Sequence, residues 1–493
     1  VGIIFKQSFK NSLIIYLSFL IGGINTLYFY PDFLEKEYYG LVIYLLSASN
    51  LIMPLTALGV HFTIVKFYSS YKTKEQRDRF LSVILFFPLI IAIPLGYFWD
   101  YIHHWILSNL TEENQIYAHY TLVIYIVAVC CAYFEVFYSW AKVQLQSVFG
   151  NILKEFWNRA TAMILLFALV LGLIEKTEFI YYYTGAYILR TLVMMLYAFY
   201  LYLPKFQLKL PDNFTEIFRY SIYIILAGSA GAIILDIDKV MIPGKETIEA
   251  AAYYAVAVFI GSFIEAPSRA MRQILQPITS KTLNENNNKE VASLYKRSSI
   301  NLLLIGGFFF LLINCSVTEL FKIMPEGYAG GELVVLLISS LKLYNMTLGN
   351  NGDIISNSKF YRITLPLGLG MALSVYFLNK LFYFKLGYGT DGLALATFLT
   401  IFFFNTVKIW FVQLKFRMNP FTNKTFIMLF MIVVYFLLFY FWDFTFHPIV
   451  NIVFKSGLIG AAYLFTTFKL NISDDISKVI TKLIEKIYSK QSS

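Results

Sequence analysis

Charge is what this chain has little of. Only 14% of its 493 residues are charged, against 58% hydrophobic. Ordinary soluble domains carry about a quarter charged residues, so most of this chain must face lipid or other buried helices. Cysteine is scarcer still: Cys130, Cys131 and Cys315 all lie in apolar runs. An odd number placed there argues against a disulfide framework, and no CxxC pair offers metal spacing, so they read as packing residues. Of the five histidines, His103 and His104 stand beside Trp105 in an expected exterior loop, without an HExxH or a cysteine pair to make a metal site. There is no P-loop and no strand-borne dinucleotide fingerprint, which argues against direct ATP coupling. No catalytic constellation emerges, so the chain does not read as an enzyme, and no cofactor is expected.

What the chain does have is fourteen apolar stretches, over about 11–31, 39–66, 80–99, 117–140, 156–175, 178–203, 218–242, 250–275, 299–317, 332–350, 361–379, 390–413, 424–442 and 449–469. A run of about 20 apolar residues spans a bilayer. The positive charge between them falls in every second link. Counting cations near span ends with the adjoining link, Lys36, Lys176, Lys239, Lys245, Lys322, Lys380 and Lys385 belong to the sparse links and four more cations lie deeper within spans, leaving 29 of the 40 lysines and arginines for the other links. Cytoplasmic links retain Lys and Arg, so the rich links are assigned inside. The first run, Asn11 to Tyr30, follows Lys6 and Lys10 and lacks a small-residue cleavage site. It is expected as a retained first span. An even span count then places both termini in the cytoplasm. The net charge of +10 follows from this bias and calls for no nucleic-acid partner.

The expected fold class is therefore an all-α polytopic membrane protein of about 14 transmembrane helices. The longest links, about 280–298 with its asparagine run Asn284 to Asn288, and the exterior 101–116, are too short to bury a core. The last segment, Ser473 to Lys490, places Ile476, Val479, Ile480, Leu483, Ile484 and Ile487 on one helical face among lysines. Residues 472–493 thus read as an amphipathic tail on anionic cytoplasmic lipid, with a regulatory docking helix as the alternative.

An internal repeat organises the spans. The first begins Phe9-Lys10-Asn11-Ser12 and the seventh Phe218-Arg219-Tyr220-Ser221. The second opens with Tyr38-Tyr39-Gly40 and reaches Pro54; the eighth opens with Tyr253-Tyr254-Ala255 and reaches Pro267. Six spans separate the copies, so both halves share one orientation. The expectation is two parallel six-helix bundles related by a pseudo-twofold axis along the membrane normal, with a substrate cavity between them. Their boundaries are 1–210 and 211–416, with helices 13 and 14 added over 417–471.

Further signatures point to a family. They are Leu58-Gly59 followed by Val65-Lys66-Phe67, then Asp238-Lys239-Val240-Met241-Ile242 followed by Tyr253-Tyr254-Ala255-Val256, and Gly389-Thr390-Asp391-Gly392-Leu393-Ala394-Leu395-Ala396-Thr397. In order and spacing the chain resembles the multidrug/oligosaccharidyl-lipid/polysaccharide exporter superfamily, and within it the bacterial polysaccharide and O-antigen flippases. The 6+6+2 arrangement matches that family over nearly the whole chain. Lys239 stands where family members often have arginine, which keeps the charge but loses the bidentate fork.

Ionisable residues inside spans are costly and are site candidates by default. Arg190 and Lys342 lie near the middle of the sixth and tenth spans, about 15–18 Å from a span end, too deep for easy snorkelling. They suggest a cationic interior; the alternative is a buried pair with a carboxylate such as Glu135 or Glu265. Glu265 and Arg269 are four apart, Arg272 follows on about the same face, and Pro267 between them bends the helix. They read either as cations at a cytoplasmic cavity mouth or as an intrahelical pair with arginines reaching headgroups. Lys408 and Lys455, nearer span ends, read as snorkelling. Asn25, Asn50, Asn345 and Asn405 are candidates for sugar contacts or for interhelical hydrogen bonds.

The resemblance implies a flippase moving a polyprenyl-pyrophosphate-linked oligosaccharide repeat unit across the bacterial inner membrane; the intramembrane cations Arg190, Lys342, Arg269 and Arg272 are then the expected cationic cavity for the pyrophosphate. It implies a lipid-linked glycan and membrane lipid as partners, with other polysaccharide assembly proteins as further candidates, and leaves any coupling ion open. One rival is a cation-coupled multidrug exporter of the same superfamily, which needs cavity carboxylates that the first span lacks. The other is a membrane glycosyltransferase, polymerase or ligase on lipid-linked sugars, for which the exterior links are short.

Overall fold

The computed structural model describes residues 2–207, 209–325, 327–442 and 444–473. Beyond Ser473, the amphipathic tail lies outside them. Every regular element among the described residues is helical. Among the described residues, twelve helices are long and apolar enough to cross a membrane, and each falls on a predicted span. In chain order these and two further helices are numbered together. The first six are α1 (Leu13–Phe33), α2 (Lys36–Thr56), α3 (Lys74–Tyr97), α4 (Thr121–Val143), α5 (148–170) and α6 (Lys176–Leu201). The next six are α7 (Phe214–Gly244), α8 (Ile248–Arg269), α9 (Asn288–Asn314), α10 (Glu332–Thr347), α11 (Tyr361–Lys385) and α12 (Gly389–Phe416). The last two are α13 (Asn423–Tyr440) and α14 (Pro448–Lys469). Both exceptions to the membrane-crossing criterion have physical causes. α5 carries Lys154, Glu155 and Arg159 in its first half, and α10 is only 16 residues long.

Helix ends follow local chemistry. Thr73 and Gln76 form a capping box at the start of α3, and Thr422 and Thr425 form one at α13. Asn287, in the asparagine run, accepts from the Glu290 amide and starts α9. At the end of α2, Leu58 (φ 48°) and Gly59 (φ 66°) turn the chain into the short helix Val60–Phe67. A Cβ on Gly59 would lie 2.4 Å from Ile224 Cγ2 and 2.8 Å from the Ser221 carbonyl oxygen on α7. The Leu-Gly pair thus serves both the turn and the close approach of α7. A 3-10 turn, Phe263–Glu265, interrupts the eighth helix before Ala266–Asn284. Pro267 falls in the first turn of the new helix, where its missing N–H is not needed.

The described residues cluster into two compact units. Unit 1 holds residues 1–255 with 365–393, and unit 2 holds 256–364 with 394–493. Within unit 1, α4 is central, packed by α2, α6 and the helix Val60–Phe67, while α7 lies along α2. Its apolar core includes Phe80, Phe134, Phe137, Trp140 and Met194. Within unit 2, α9 packs on α10, α13 and α14, around Leu303, Leu311, Met428, Ile432 and Tyr463. Lipid gives no hydrophobic drive for helices to associate, so close packing and interhelical hydrogen bonds hold such contacts. Gly307 shows the first: a Cβ there would meet Ile432 Cδ1 at 2.4 Å and the Tyr463 hydroxyl at 2.5 Å.

Candidate functional site

Unit 2 carries a polar strip on three helices. The 3-10 turn before Pro267 presents Glu265, and one turn further the same segment presents Arg269. Lys342 reaches from α10 to place Nζ 2.6 Å from Glu265 Oε2, while Arg269 Nη2 lies 3.8 Å from the same oxygen. One carboxylate therefore holds two cations. The Lys342 and Glu265 side chains are 14% and 16% exposed, against 42% for Arg269. Three residues past Lys342, on about the same face of α10, Asn345 accepts at Oδ1 from Asn405 Nδ2 of α12 at 2.5 Å. Lys408 Nζ donates to Asn405 Oδ1 at 3.1 Å. Arg272 is exposed and acts electrostatically on Lys408, Glu265 and Asp353. Asp353 lies in the short helix Asn351–Ser356, outside the spans; burial pushes its carboxyl above the ordinary range while Arg272 opposes the rise. The named groups comprise four cations, Lys342, Arg269, Arg272 and Lys408, and two carboxylates, Glu265 and Asp353. Charge of this sign in a low-dielectric interior favours an anion.

In unit 1, Arg190 is 4% exposed, yet among the described residues no carboxylate lies within ion-pair distance of it. Its guanidinium stacks 4.3 Å from the Phe134 ring and 4.8 Å from Tyr187, and Nη2 donates to Cys131 Sγ at 3.3 Å. Glu135 pairs instead with Lys154, Nζ to Oε1 at 2.5 Å. Lys154 occupies a π-helical stretch of α5, Ile152–Trp157, a distortion frequent at functional positions. Arg159 closes that stretch by donating from Nη1 to the Glu155 carbonyl at 2.7 Å and to its carboxylate at 3.2 Å.

The remaining candidates join helices within their units. Asn25, in the π-helical stretch Asn25–Phe29 of α1, donates to the Arg159 carbonyl of α5 at 2.7 Å. Asn50 of α2 donates to Asp236 Oδ2 of α7 at 3.2 Å, and Ser47 Oγ and Lys239 Nζ reach Asp236 Oδ1. The motif around Asp238 closes on itself: Tyr254 and Asn379 donate to its two oxygens at 2.6 and 2.7 Å. Lys455 does not reach a headgroup. It is 1% exposed on α14, close enough to Cys315 to act on its thiol.

Residue patterns alone miss three groups. A fifth span starting at 156 leaves Lys154 in a loop; Val148, Phe149, Ile152, Leu153 and Phe156 extend the helical spacing upstream and include it. Asp236 and Asp238, 8% and 5% exposed, end a span and pass for interfacial charges. A pair of carboxylates two residues apart after an apolar run is the available signal.

Several solved structures share this fold. A structure described as the lipid II flippase MurJ in an inward closed conformation matches with a TM-score of 0.69 at 15% identity, covering 94% of this chain and 99% of that one. An inward-facing multidrug resistance MATE family transporter of the MOP superfamily matches at 0.62 and 12% identity, over 83% and 98% of the two chains. A MOP superfamily transporter from Pyrococcus furiosus, described as having a binding pocket of reverse polarity, matches at 0.59 and 14% identity, over 84% and 95%. At these identities the likeness is one of fold. A comparison with curated proteins finds no significant match. The sequence model of the polysaccharide biosynthesis protein family matches residues 4–268, more than half of the chain, and the chain belongs to that family.

Proposed function

We propose that this protein is a flippase that moves a polyprenyl-pyrophosphate-linked oligosaccharide repeat unit from the cytoplasmic to the outer leaflet of the bacterial inner membrane, for surface polysaccharide synthesis. The observation that carries the reading is the shared carboxylate of unit 2, Glu265 between Lys342 and Arg269. Without ligand, Glu265 neutralises two cations that would be expensive to leave bare. A disubstituted pyrophosphate carries two negative charges, matching the strip's surplus of two. Its oxygens would take over Lys342 and Arg269, with Arg272 and Lys408 beside them.

Other features of unit 2 support a lipid-linked cargo. Asn345 and Asn405 offer amides for sugar hydroxyls next to the cations. An apolar recess of about 480 Å³ is lined by Leu336, Leu343, Tyr344, Phe398, Phe426 and Phe436, chemistry suited to part of an isoprenoid chain. Both termini are assigned to the cytoplasm, and the halves 1–210 and 211–416 are assigned to alternate access by rocking. The multidrug-exporter reading gains less support, since the carboxylates Glu135 and Glu265 are occupied by lysines.

Lipid analysis of a deletion strain tests the reading. Lipid-linked repeat units accumulate on the cytoplasmic leaflet if it holds. Normal surface glycan without accumulation contradicts it.

A further inference from the structure

Unit 1 holds a second cluster of charge that the pyrophosphate site does not use. Around Glu135 on α4 stand Lys154 from α5, Lys142 from the end of α4, and His61 from the helix Val60–Phe67. Glu155 also faces Lys154 but is bound to Arg159 at 3.2 Å. Arg190 from α6 is near enough to act on Lys154. The cluster thus contains four cations, Lys142, Lys154, Arg159 and Arg190, against two carboxylates, Glu135 and Glu155. Its surplus of two equals that of the strip in unit 2.

Two features separate this cluster from ordinary structural ion pairs. The first is Arg190. It lies about 16–21 Å from either end of α6, beyond headgroup reach, and its Nε has no hydrogen-bond partner among the described residues. The hydrogen bond it does make goes to a thiol, a weak acceptor. A buried guanidinium without a carboxylate is costly in a membrane span and is retained for use rather than for stability. The second is access. The Lys154 side chain remains 43% exposed despite its bond to Glu135, so one side of the cluster is open. Both lysines approach the Tyr138 ring, with Lys142 Nζ 3.9 Å and Lys154 Nζ 6.0 Å from its centroid. Gly150 makes room for that ring: a Cβ there would lie 2.1 Å from Tyr138 Cδ2.

We propose that the Lys154–Arg190 cluster of unit 1 is a second anion site and that its ligand is a carboxylate on the glycan, so that the cargo is an acidic, uronate-containing repeat unit. The inference rests on the flippase reading and goes further by naming the class of sugar. The pyrophosphate charge is matched in unit 2, so the surplus in unit 1 answers to negative charge elsewhere on the cargo. A planar guanidinium with an ammonium beside it complements a carboxylate.

The test uses the full chain in lipid vesicles with two polyprenyl-pyrophosphate oligosaccharides that differ in one sugar, glucuronic acid or glucose. The protein is expected to move the acidic substrate about tenfold faster or more, the scale of one buried charge-assisted contact. Lys154→Met is expected to bring that ratio towards one, and Lys342→Met to slow both substrates alike. Arg190→Lys, which keeps the charge without the fork, is expected to retain part of the preference. Should Arg190 variants fail to insert, the accessible Lys154 carries the test alone. Equal rates for both substrates, or a preference that survives Lys154→Met, overturns the second site. Transport of neither substrate counts against the flippase reading instead.

Discussion

Lys342 Nζ lies 2.6 Å from Glu265 Oε2, joining α10 to the turn that interrupts α8. The pair is structural and, in the reading above, also functional, and a double-variant series separates the roles. Lys342→Met strands a largely buried carboxylate with Arg269 as its remaining partner, which is expected to cost on the order of 3 kcal/mol. Adding Glu265→Met removes the stranded charge and is expected to restore most of the thermal stability in detergent. It is not expected to restore translocation. Recovery of transport in the double variant would show that the pair only holds the helices.

Glu265→Gln makes a sharper kinetic prediction. The amide leaves the two cations uncompensated, so an anionic substrate binds more tightly and leaves more slowly. Both KM and kcat are expected to fall, by about tenfold if one charge-assisted contact is at stake. A rise in KM would mean that Glu265 itself contacts the cargo favourably.

Gly59 tests the fold. Its backbone is left-handed, and a methyl group placed on it would lie 2.4 Å from Ile224, so there is no room for a side chain. Gly59→Ala is expected to cost about 1–3 kcal/mol, read as a lower unfolding temperature. Gly185 in α6, where a Cβ meets nothing within 4 Å, is the control, and Gly185→Ala is expected to be neutral or mildly stabilising.

How much of this is legible in the sequence depends on the residue. Span positions can be read because a crossing helix needs an uninterrupted apolar run, and that property is local. α5 and α10 show the limit. Lys154 inside a π-helical turn breaks the apolar run of α5, and α10, with only 16 residues, falls short of the usual span length. Lys342 and Glu265 stand out as buried charges, but their pairing depends on the turn before Pro267, which aims Glu265 at α10. For Arg190 the charge is visible. Its environment of Phe134, Tyr187 and Cys131 is not, since those residues arrive from two helices.

Orientation is tested by single cysteines on a background lacking Cys130, Cys131 and Cys315. Ser108→Cys, in the expected exterior link, is expected to react with a membrane-impermeant maleimide in intact cells. Ser70→Cys is expected to react only after permeabilisation. The reverse pattern would invert the assignment of every link.

The most direct measurement of the central claim is translocation by the purified protein. Vesicles are loaded with a polyprenyl-pyrophosphate oligosaccharide bearing a fluorophore on its sugar, and an impermeant reductant is added outside. Protein-dependent loss of the protected inner-leaflet signal is expected, slowed at least about tenfold by Lys342→Met. A signal that decays no faster than in protein-free vesicles contradicts it.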